Sequence, residues 1–156
     1  MTYWLLKSEP ATYGIDDLAA APDGTDAWDG VRNHQARNFL RAMRVGDRAF
    51  FYHSNCRRPA VVGIVEVVRE AYPDPTAFDP ASPYHDPRAD PRRPRWFAVD
   101  VRLVERLPRP VTLAELRAEP ALEGLLILRR GNRLSVTPVA PAHWAHILAM
   151  ARRPAP

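Results

Sequence analysis

Two short polar segments contain the side chains best suited to hold a ligand. The first, residues 3–10, reads YWLLKSEP, and the second, residues 28–33, reads WDGVRN. The tryptophan of the second segment offers an aromatic plate for stacking, while serine, glutamate and asparagine offer short hydrogen-bond donors and acceptors. If the two segments converge in the fold, they place recognition groups beside an aromatic surface.

Lys7 is the only lysine among 22 basic residues, so the chain otherwise uses arginine for positive charge. An ammonium group is a compact point donor, whereas a guanidinium is a planar fork, and a pocket that needs the first does not accept the second. Lys7 is therefore a candidate ligand contact. The alternative is that a composition biased toward arginine left one lysine by chance, and the residue type alone does not separate the two.

His53 and Cys56 suggest a second chemistry, nucleophilic catalysis. A cysteine nucleophile needs a base, an orienting acid and an oxyanion pocket, and only Asp29 and Glu9 are candidates for the acid. Cys56 is the sole cysteine and has no second metal ligand beside it, so the sequence indicates neither an internal disulfide nor a cysteine-rich zinc site. A Cys56 hydrolase is the less favoured interpretation.

Length and composition fit one globular domain. A chain of 156 residues that is 46% hydrophobic buries a sizeable core and leaves little room for a second domain. We assign residues 1–151 to a single domain and 152–156 to a short disordered tail. The chain has no apolar run of the roughly 20 residues that span a bilayer and no signal-peptide pattern. We therefore expect a cytoplasmic protein with no membrane partner.

The net charge of +4 and a sequence pI near 9.7 would suit a polyanionic partner. Charge alone specifies neither the fold nor what is recognised. Genomic composition also produces an abundance of arginine, alanine and proline, so the high pI counts little as independent evidence.

Periodicity and residue type predict several strands and two helices. Strands are expected at residues 4–7, 47–52, 60–68, 97–105, 125–129 and 133–136. Gly63 interrupts the third of these and predicts a bulge. One helix is expected over residues 33–43, with Asn33 as its cap, and a terminal helix from Pro141. Trp4 and Trp144 are interpreted as core residues. This set of strands is enough for a small barrel.

The chain changes character between Tyr72 and Trp96. Seven of its 17 prolines lie between Pro73 and Pro94, together with aromatic residues and several arginines. A connection this long inside a compact domain is usually functional or disordered, and its aromatic residues argue against disorder. We expect an ordered, extended arm that either forms one wall of a cleft or covers a sheet edge.

A series of motifs along nearly the whole chain resembles EVE-domain proteins, which belong to the PUA-like superfamily and are related to the thymocyte nuclear protein family. The motifs are residues 3–10, 28–40, 45–56, 61–72, 76–80, 94–101, 109–116 and 129–136. The resemblance implies an α+β fold, a small PUA-like β-barrel of five or six strands flanked by short helices. It also implies a pocket that accepts a nucleobase, often a modified one, and recognition without chemistry.

The pattern is also similar to that of YTH domains, which read methylated adenine in RNA. In both, a Lys-Ser pair ends the first strand, a tryptophan opens the next motif, and an aromatic-X-Ser element follows a later strand. By this resemblance the base pocket is lined by Lys7, Ser8, Trp28, Tyr52, His53 and Ser54, with Trp96 as the candidate second cage tryptophan. The resemblance gives the position of the pocket and leaves the ligand open, because the residues between the motifs differ.

The energetics of base recognition support the same residues. Flipping one base out of a duplex costs a few kcal/mol, and stacking on Trp28 contributes on the order of 1–3 kcal/mol, so edge hydrogen bonds must add the rest. Asn33 supplies a short donor and acceptor, and Glu9 is a candidate acceptor for a cytosine amino group. A wrong base would leave such polar groups unpaired, which sets the specificity.

Several arginines are predicted to contact phosphates, which positions a nucleic acid without reading its sequence. They are Arg32, Arg57, Arg58, Arg129, Arg130 and Arg133. Arg32 lies beside the pocket tryptophan, where it either clamps a flanking phosphate or holds Asp29 in place. The alternative for the other five is an ordinary solvated turn.

The sequence favours a non-enzymatic reader that binds a flipped, modified base of DNA or RNA, with modified cytosine in DNA preferred. The alternatives are a small-molecule or nucleotide sensor that uses the same pocket, and the Cys56 hydrolase. No cofactor is expected. Nucleic acid is the expected partner, and by resemblance a partner nuclease or modification enzyme would fit, because such domains associate with restriction or defence systems.

Overall fold

A computed structural model describes residues 1–156 and contains six strands and four α-helices. The strands are β1 (Tyr3–Ser8), β2 (Thr25–Trp28), β3 (Arg48–His53), β4 (Ala60–Pro73), β5 (Phe97–Thr112) and β6 (Val136–Val139). The helices are α1 (Ile15–Ala20), α2 (His34–Ala42), α3 (Leu113–Ala118) and α4 (Pro141–Arg152). None of the helices has both the length and the apolar character needed to cross a membrane.

All six strands belong to one mixed sheet with the order β2-β5-β4-β3-β1-β6. β1 and β3 are parallel, and the other pairs are antiparallel. The strand count and the flanking helices confirm the expected α+β, PUA-like architecture. The sheet is open rather than a closed barrel, because β2 and β6 end the order and do not pair with each other.

Both faces of the sheet are buried, which explains the unbroken apolar runs in its strands. Successive strand residues point to opposite faces. Leu6 therefore belongs to a first core with residues of α1 and α2, whereas Leu5 belongs to a second core with residues of α3 and α4. Trp4 lies in the first core and Trp144 in the second, as the sequence predicts.

The helix predicted over residues 33–43 is α2. The Oδ1 atom of Asn33 accepts a hydrogen bond from the amide N–H of Ala36 at 3.0 Å. This bond satisfies one of the free donors at the start of the helix and confirms Asn33 as the cap. The buried side of α2 contacts β4, β5 and β6. The helix therefore crosses the first core and lies over both halves of the open sheet.

Gly63 marks a bulge in β4, as predicted. The register of β4 against β5 shifts between Val61 and Gly63. A Cβ atom at residue 63 would lie 3.0 Å from the carbonyl oxygen of Glu105 and would overlap the Ile15 side chain at the start of α1. Glycine is therefore required where α1 approaches the strand backbone.

The sequence predictions are least accurate near the end of the chain and for short elements. Residues 125–129 form a turn of 3₁₀ helix at Leu126–Leu128 in place of the predicted strand, and the last strand is Val136–Val139 rather than 133–136. A short apolar run does not separate a strand from a buried turn by periodicity, and Leu125 and Ile127 are both buried in the second core. β2, α1 and α3 were not predicted because each is too short to show a period.

Candidate functional site

A cavity of about 580 Å³ lies where the end of β1 faces β2 across the opening of the sheet. Its volume is within the range of about 300–1,000 Å³ that ligand sites occupy. The start of α2, the residue before β6 and the proline-rich arm complete its walls. The lining residues are Lys7, Ser8, Glu9, Thr12, Tyr13, Asp26, Ala27, Trp28, Asp29, Gly30, Val31, Arg32, Asn33, Pro83, Tyr84 and Ser135.

The fold fixes the polarity of two cavity side chains. The Ser8 hydroxyl donates its proton to the carbonyl oxygen of Tyr13 at 2.6 Å, so the Ser8 oxygen is left as an acceptor. Asn33 uses its Oδ1 atom to cap α2, so its amide group is left as a donor. Both predicted residues line the cavity, each with one type of hydrogen-bonding capacity still available.

Lys7 and Asp29 both line the cavity, have opposite charges, and form no ion pair. Partial burial lowers the pKa of Lys7. Partial burial also raises the pKa of Asp29, and the nearby carboxylates of Asp74 and Asp26 raise it further. Both shifts mean that the charged form is incompletely solvated. A ligand that supplied hydrogen-bond partners would therefore stabilise each charge.

Trp28 lines the cavity but belongs mainly to the core. Its side chain packs edge to face against Phe51, with ring centroids 5.3 Å apart, and only 7% of the residue is exposed. Trp28 therefore presents a small part of its surface to a ligand. Truncation of this residue would also leave a cavity in the first core. Weaker binding by a Trp28→Ala variant could therefore result from lower stability as well as from a lost ligand contact.

Tyr13 and Asp26 join two walls of the cavity and were not predicted from the sequence. The Tyr13 hydroxyl donates to the Asp26 carboxylate at 2.6 Å, which links the turn after β1 to β2. Burial raises the pKa of Tyr13, and the hydrogen bond to Asp26 adds to the shift. Tyr13 thus keeps its proton and remains a donor to Asp26.

The proline-rich arm forms one wall of the cavity, which confirms the first of its two predicted roles. Pro83 and Tyr84 are the arm residues that line it. The Tyr84 ring packs so closely on Gly30 that a Cβ atom there would lie 2.9 Å from the ring. The sequence showed that the arm contains aromatic residues but did not show that Tyr84 would reach the segment after Trp28.

Arg32 holds the arm in place. Its guanidinium donates to Asp74 at 3.0 Å, to the Thr76 hydroxyl at 3.1 Å, and to the carbonyl oxygen of Tyr84 at 2.7 Å and 3.0 Å. Asp74 is fully buried and also accepts from the amide of Gly30 at 2.9 Å. The prediction that Arg32 clamps a phosphate or holds Asp29 is therefore corrected, because the fold already occupies its donors.

Three other residues predicted to line the pocket lie outside it. Tyr52 lies in the second core with 2% exposure, together with Phe50 two residues earlier in β3. Ser54 follows β3, and its amide donates to the carbonyl oxygen of Ser8 at 3.0 Å. The Trp96 indole donates to Asp86 of the arm at 2.8 Å. These contacts are structural, so the placement of these residues in the pocket is corrected.

His53 also lies outside the cavity and supports α1 instead. Its Nε2 atom accepts a hydrogen bond from the amide of Ile15 at 3.1 Å. The Nε2 atom accepts this bond only when the ring is neutral. Partial burial lowers the pKa of His53 and so also favours the neutral ring. The Cys56 sulfur contacts the His53 carbonyl oxygen at 3.9 Å rather than the imidazole. The base and nucleophile of a hydrolase are therefore not assembled.

Five of the predicted phosphate contacts are exposed arginines in two loops, each of which adjoins a residue that lines the cavity. Arg57 and Arg58 follow Asn55, whose side-chain amide donates to the carboxylate of the cavity residue Glu9 at 2.7 Å. Arg129, Arg130 and Arg133 are in the loop that ends at the cavity residue Ser135. None of the five pairs with a carboxylate.

Comparisons with known proteins agree with this architecture. The EVE domain model matches residues 2–150. Human thymocyte nuclear protein 1 is 42% identical over 165 residues, which cover 96% of this chain and 73% of the relative. A Pseudomonas putida protein of known structure is 51% identical with a TM-score of 0.92, covering 96% of this chain and 99% of that one. The human THYN1 protein, solved in complex with 5-methylcytosine-containing DNA, is 39% identical with a TM-score of 0.95, covering 99% and 100%.

Replacement of Arg32 by alanine should destabilise the protein by about 3–5 kcal/mol, because it leaves the buried Asp74 carboxylate without its cation. Arg32→Lys should recover only part of this loss, because an ammonium cannot reproduce the planar fork. Urea unfolding measures both. The exposed pair of Arg102 and Glu66 provides a control, and Arg102→Ala should cost at most about 1 kcal/mol. Equal losses at residues 32 and 102 would contradict the proposed role of Arg32.

Acidification should weaken the protein through His53. Since its pKa in the folded protein is below the unfolded value of about 6.5, the stabilisation is present above that pH and is lost as pH falls through the folded pKa. His53→Gln keeps an acceptor for Ile15 but does not titrate. The unfolding free energy of this variant should fall less between neutral and mildly acidic pH than that of the wild type. Parallel pH profiles would show that His53 does not carry the effect.

Proposed function

The chain belongs to the EVE domain family, and we propose that it is a non-enzymatic reader that binds DNA containing a modified cytosine, with 5-methylcytosine as the first candidate. In this proposal the modified base is flipped out of the duplex and enters the cavity beside Trp28. The observation that carries the proposal is the match over nearly the whole chain to the human THYN1 protein, which was solved with 5-methylcytosine-containing DNA.

The cavity supports the proposal through its mixture of surfaces. Trp28, Tyr84 and Pro83 give it apolar walls for a planar ring. Ser8 and Asp29 have free acceptors, whereas Lys7 and Asn33 have free donors. A nucleobase needs both kinds of partner on its edge, because it presents donors and acceptors side by side.

The exposed arginines account for the energy that a single stacked base does not supply. Extrusion of a base costs a few kcal/mol, and Trp28 is too buried to stack with its full face. Phosphate contacts from the two arginine loops would supply affinity that does not depend on sequence. In this arrangement the loops hold the duplex and the cavity selects the base.

The arrangement of the candidate catalytic residues, His53 and Cys56, also favours a binding role. The His53 ring accepts from Ile15 and is not directed at the Cys56 sulfur. The human THYN1 protein was solved as a complex with DNA. We therefore propose recognition as the whole activity of this domain.

The protein should bind a duplex with one central 5-methylcytosine at least about tenfold more tightly than the same duplex with cytosine, a difference of about 1.4 kcal/mol. Fluorescence anisotropy at fixed moderate salt measures this, with matched duplexes containing 5-hydroxymethylcytosine or N6-methyladenine and with RNA forms in parallel. Equal, weak and salt-sensitive binding to all of them would reject the reader. Binding of the free nucleoside without the duplex would favour the sensor.

Replacement of Arg129, Arg130 and Arg133 by alanine should weaken modified and unmodified duplexes alike. The slope of log affinity against log salt should become shallower by about one for each phosphate that the variant no longer neutralises. Arg117→Ala is the matched control, because Arg117 is an exposed arginine on α3, beside the second core, and its removal should leave the slope nearly unchanged. Loss of discrimination between modified and unmodified DNA in the loop variants would contradict the separation of phosphate and base contacts.

A further inference from the structure

Three carboxylates line the cavity, and only one of them is unused by the fold. Glu9 accepts from the Asn55 side chain at 2.7 Å. Asp26 accepts from the Tyr13 hydroxyl at 2.6 Å and from the amide of Ala27 at 2.8 Å. The Asp29 carboxylate receives no hydrogen bond from another residue and belongs to no ion pair. Its oxygens are therefore available to a ligand.

The backbone holds Asp29 firmly even though its side chain is free. The preceding residue, Trp28, is buried in the first core. The following residue, Gly30, donates its amide to the buried Asp74 at 2.9 Å and packs beneath the Tyr84 ring. A carboxylate between two fixed neighbours has a defined position at the cavity, which is what selective hydrogen bonding requires.

We propose that Asp29 determines base specificity by accepting a hydrogen bond from the exocyclic amino group of the flipped base, and so separates 5-methylcytosine from thymine. This inference rests on the proposed function and names the contact that distinguishes these two bases. Both bases carry the same methyl group, so an apolar pocket for the methyl group does not separate them. They differ at position 4, where 5-methylcytosine has an amino donor and thymine has a carbonyl acceptor.

An ionised carboxylate has only acceptors, so it pairs with the amino group and opposes the thymine carbonyl. Rejection of thymine follows because the Asp29 charge would then be enclosed without a partner. The amide donor of Asn33 adds to the same preference, since a cytosine base presents an acceptor at N3 where thymine presents a donor.

The sign of the charge effect makes the proposal testable. Removal of Asp29 raises the net charge of +4 by one unit, and that change alone strengthens attraction to phosphates. A general electrostatic role for Asp29 therefore predicts tighter binding of every duplex by a variant that lacks it. The proposed hydrogen bond predicts that such a variant binds the 5-methylcytosine duplex more weakly and no other duplex more weakly.

The experiment compares two duplexes that differ at one base, 5-methylcytosine opposite guanine and thymine opposite guanine. The mismatched thymine is easier to extrude, so the comparison is biased against the proposal. Wild-type protein should prefer 5-methylcytosine by at least about tenfold. Asp29→Ala should lose most of its affinity for 5-methylcytosine and should bind thymine at least as tightly as wild type does, because the unpaired charge that opposes thymine is removed. Asp29→Asn, whose amide can donate to the thymine carbonyl, should bind thymine more tightly than wild type does.

Glu123→Gln controls for the change in charge, because Glu123 is exposed and lies outside the cavity. It should keep the wild-type preference. Thermal unfolding should show both Asp29 variants folded, since no hydrogen bond or ion pair with another residue is removed. If Asp29→Ala retains the preference for 5-methylcytosine, the role of Asp29 is wrong and the proposed function stands. A third duplex, with unmodified cytosine opposite guanine, tests the proposed function in the same assay. If the wild type shows no preference for 5-methylcytosine over this duplex, the proposed function fails and the inference fails with it.

Discussion

The buried ion pair between Asp74 and Arg32 is the contact on which the site depends. Asp74 is fully buried and accepts hydrogen bonds from Gly30, Arg32 and Thr76. Arg32 also donates to the Tyr84 carbonyl oxygen. One carboxylate thus joins the end of β4, the segment between β2 and α2, and the arm. A buried charge that loses its partner is costly, so these segments are held in the arrangement that satisfies it, and that arrangement forms the cavity.

The open sheet explains why the cavity lies beside β1 and β2. β2 ends the sheet on one side, while β1 and β6 lie at the other end, and no ladder joins the two. Polar residues at the end of β1 and along the segment after β2 therefore face each other across a gap instead of pairing as strands. Both faces of the sheet are packed, so the walls of this gap rest on rigid cores. The same rigidity makes Trp28 both a cavity wall and a core residue.

The charged residues divide into those that build the site and those that remain available. Arg32 and Asp74 are consumed by the fold, as are the cavity carboxylates of Glu9 and Asp26. Lys7 and Asp29 line the cavity without an ion pair, and the exposed arginines of the two loops also have no carboxylate partner. Under the proposed function this division has a physical logic, because phosphate contacts position a nucleic acid whereas contacts to base edges specify it.

The sequence by itself determined the local features, because these depend on a few neighbouring residues: the Asn33 cap, the Gly63 bulge, the location of β1, β3, β4 and β5 and, through the family resemblance, the placement of Lys7 and Ser8 at a pocket. Only the tertiary structure decided which side chains reach the cavity. Strand alternation shows that the Tyr52 side chain lies on the opposite face of the sheet from those of Phe51 and His53. The packing of the whole sheet decides which of the two faces carries the cavity. Arg32 finds its partner in Asp74, 42 residues along the chain, and local periodicity contains no information about so distant a contact.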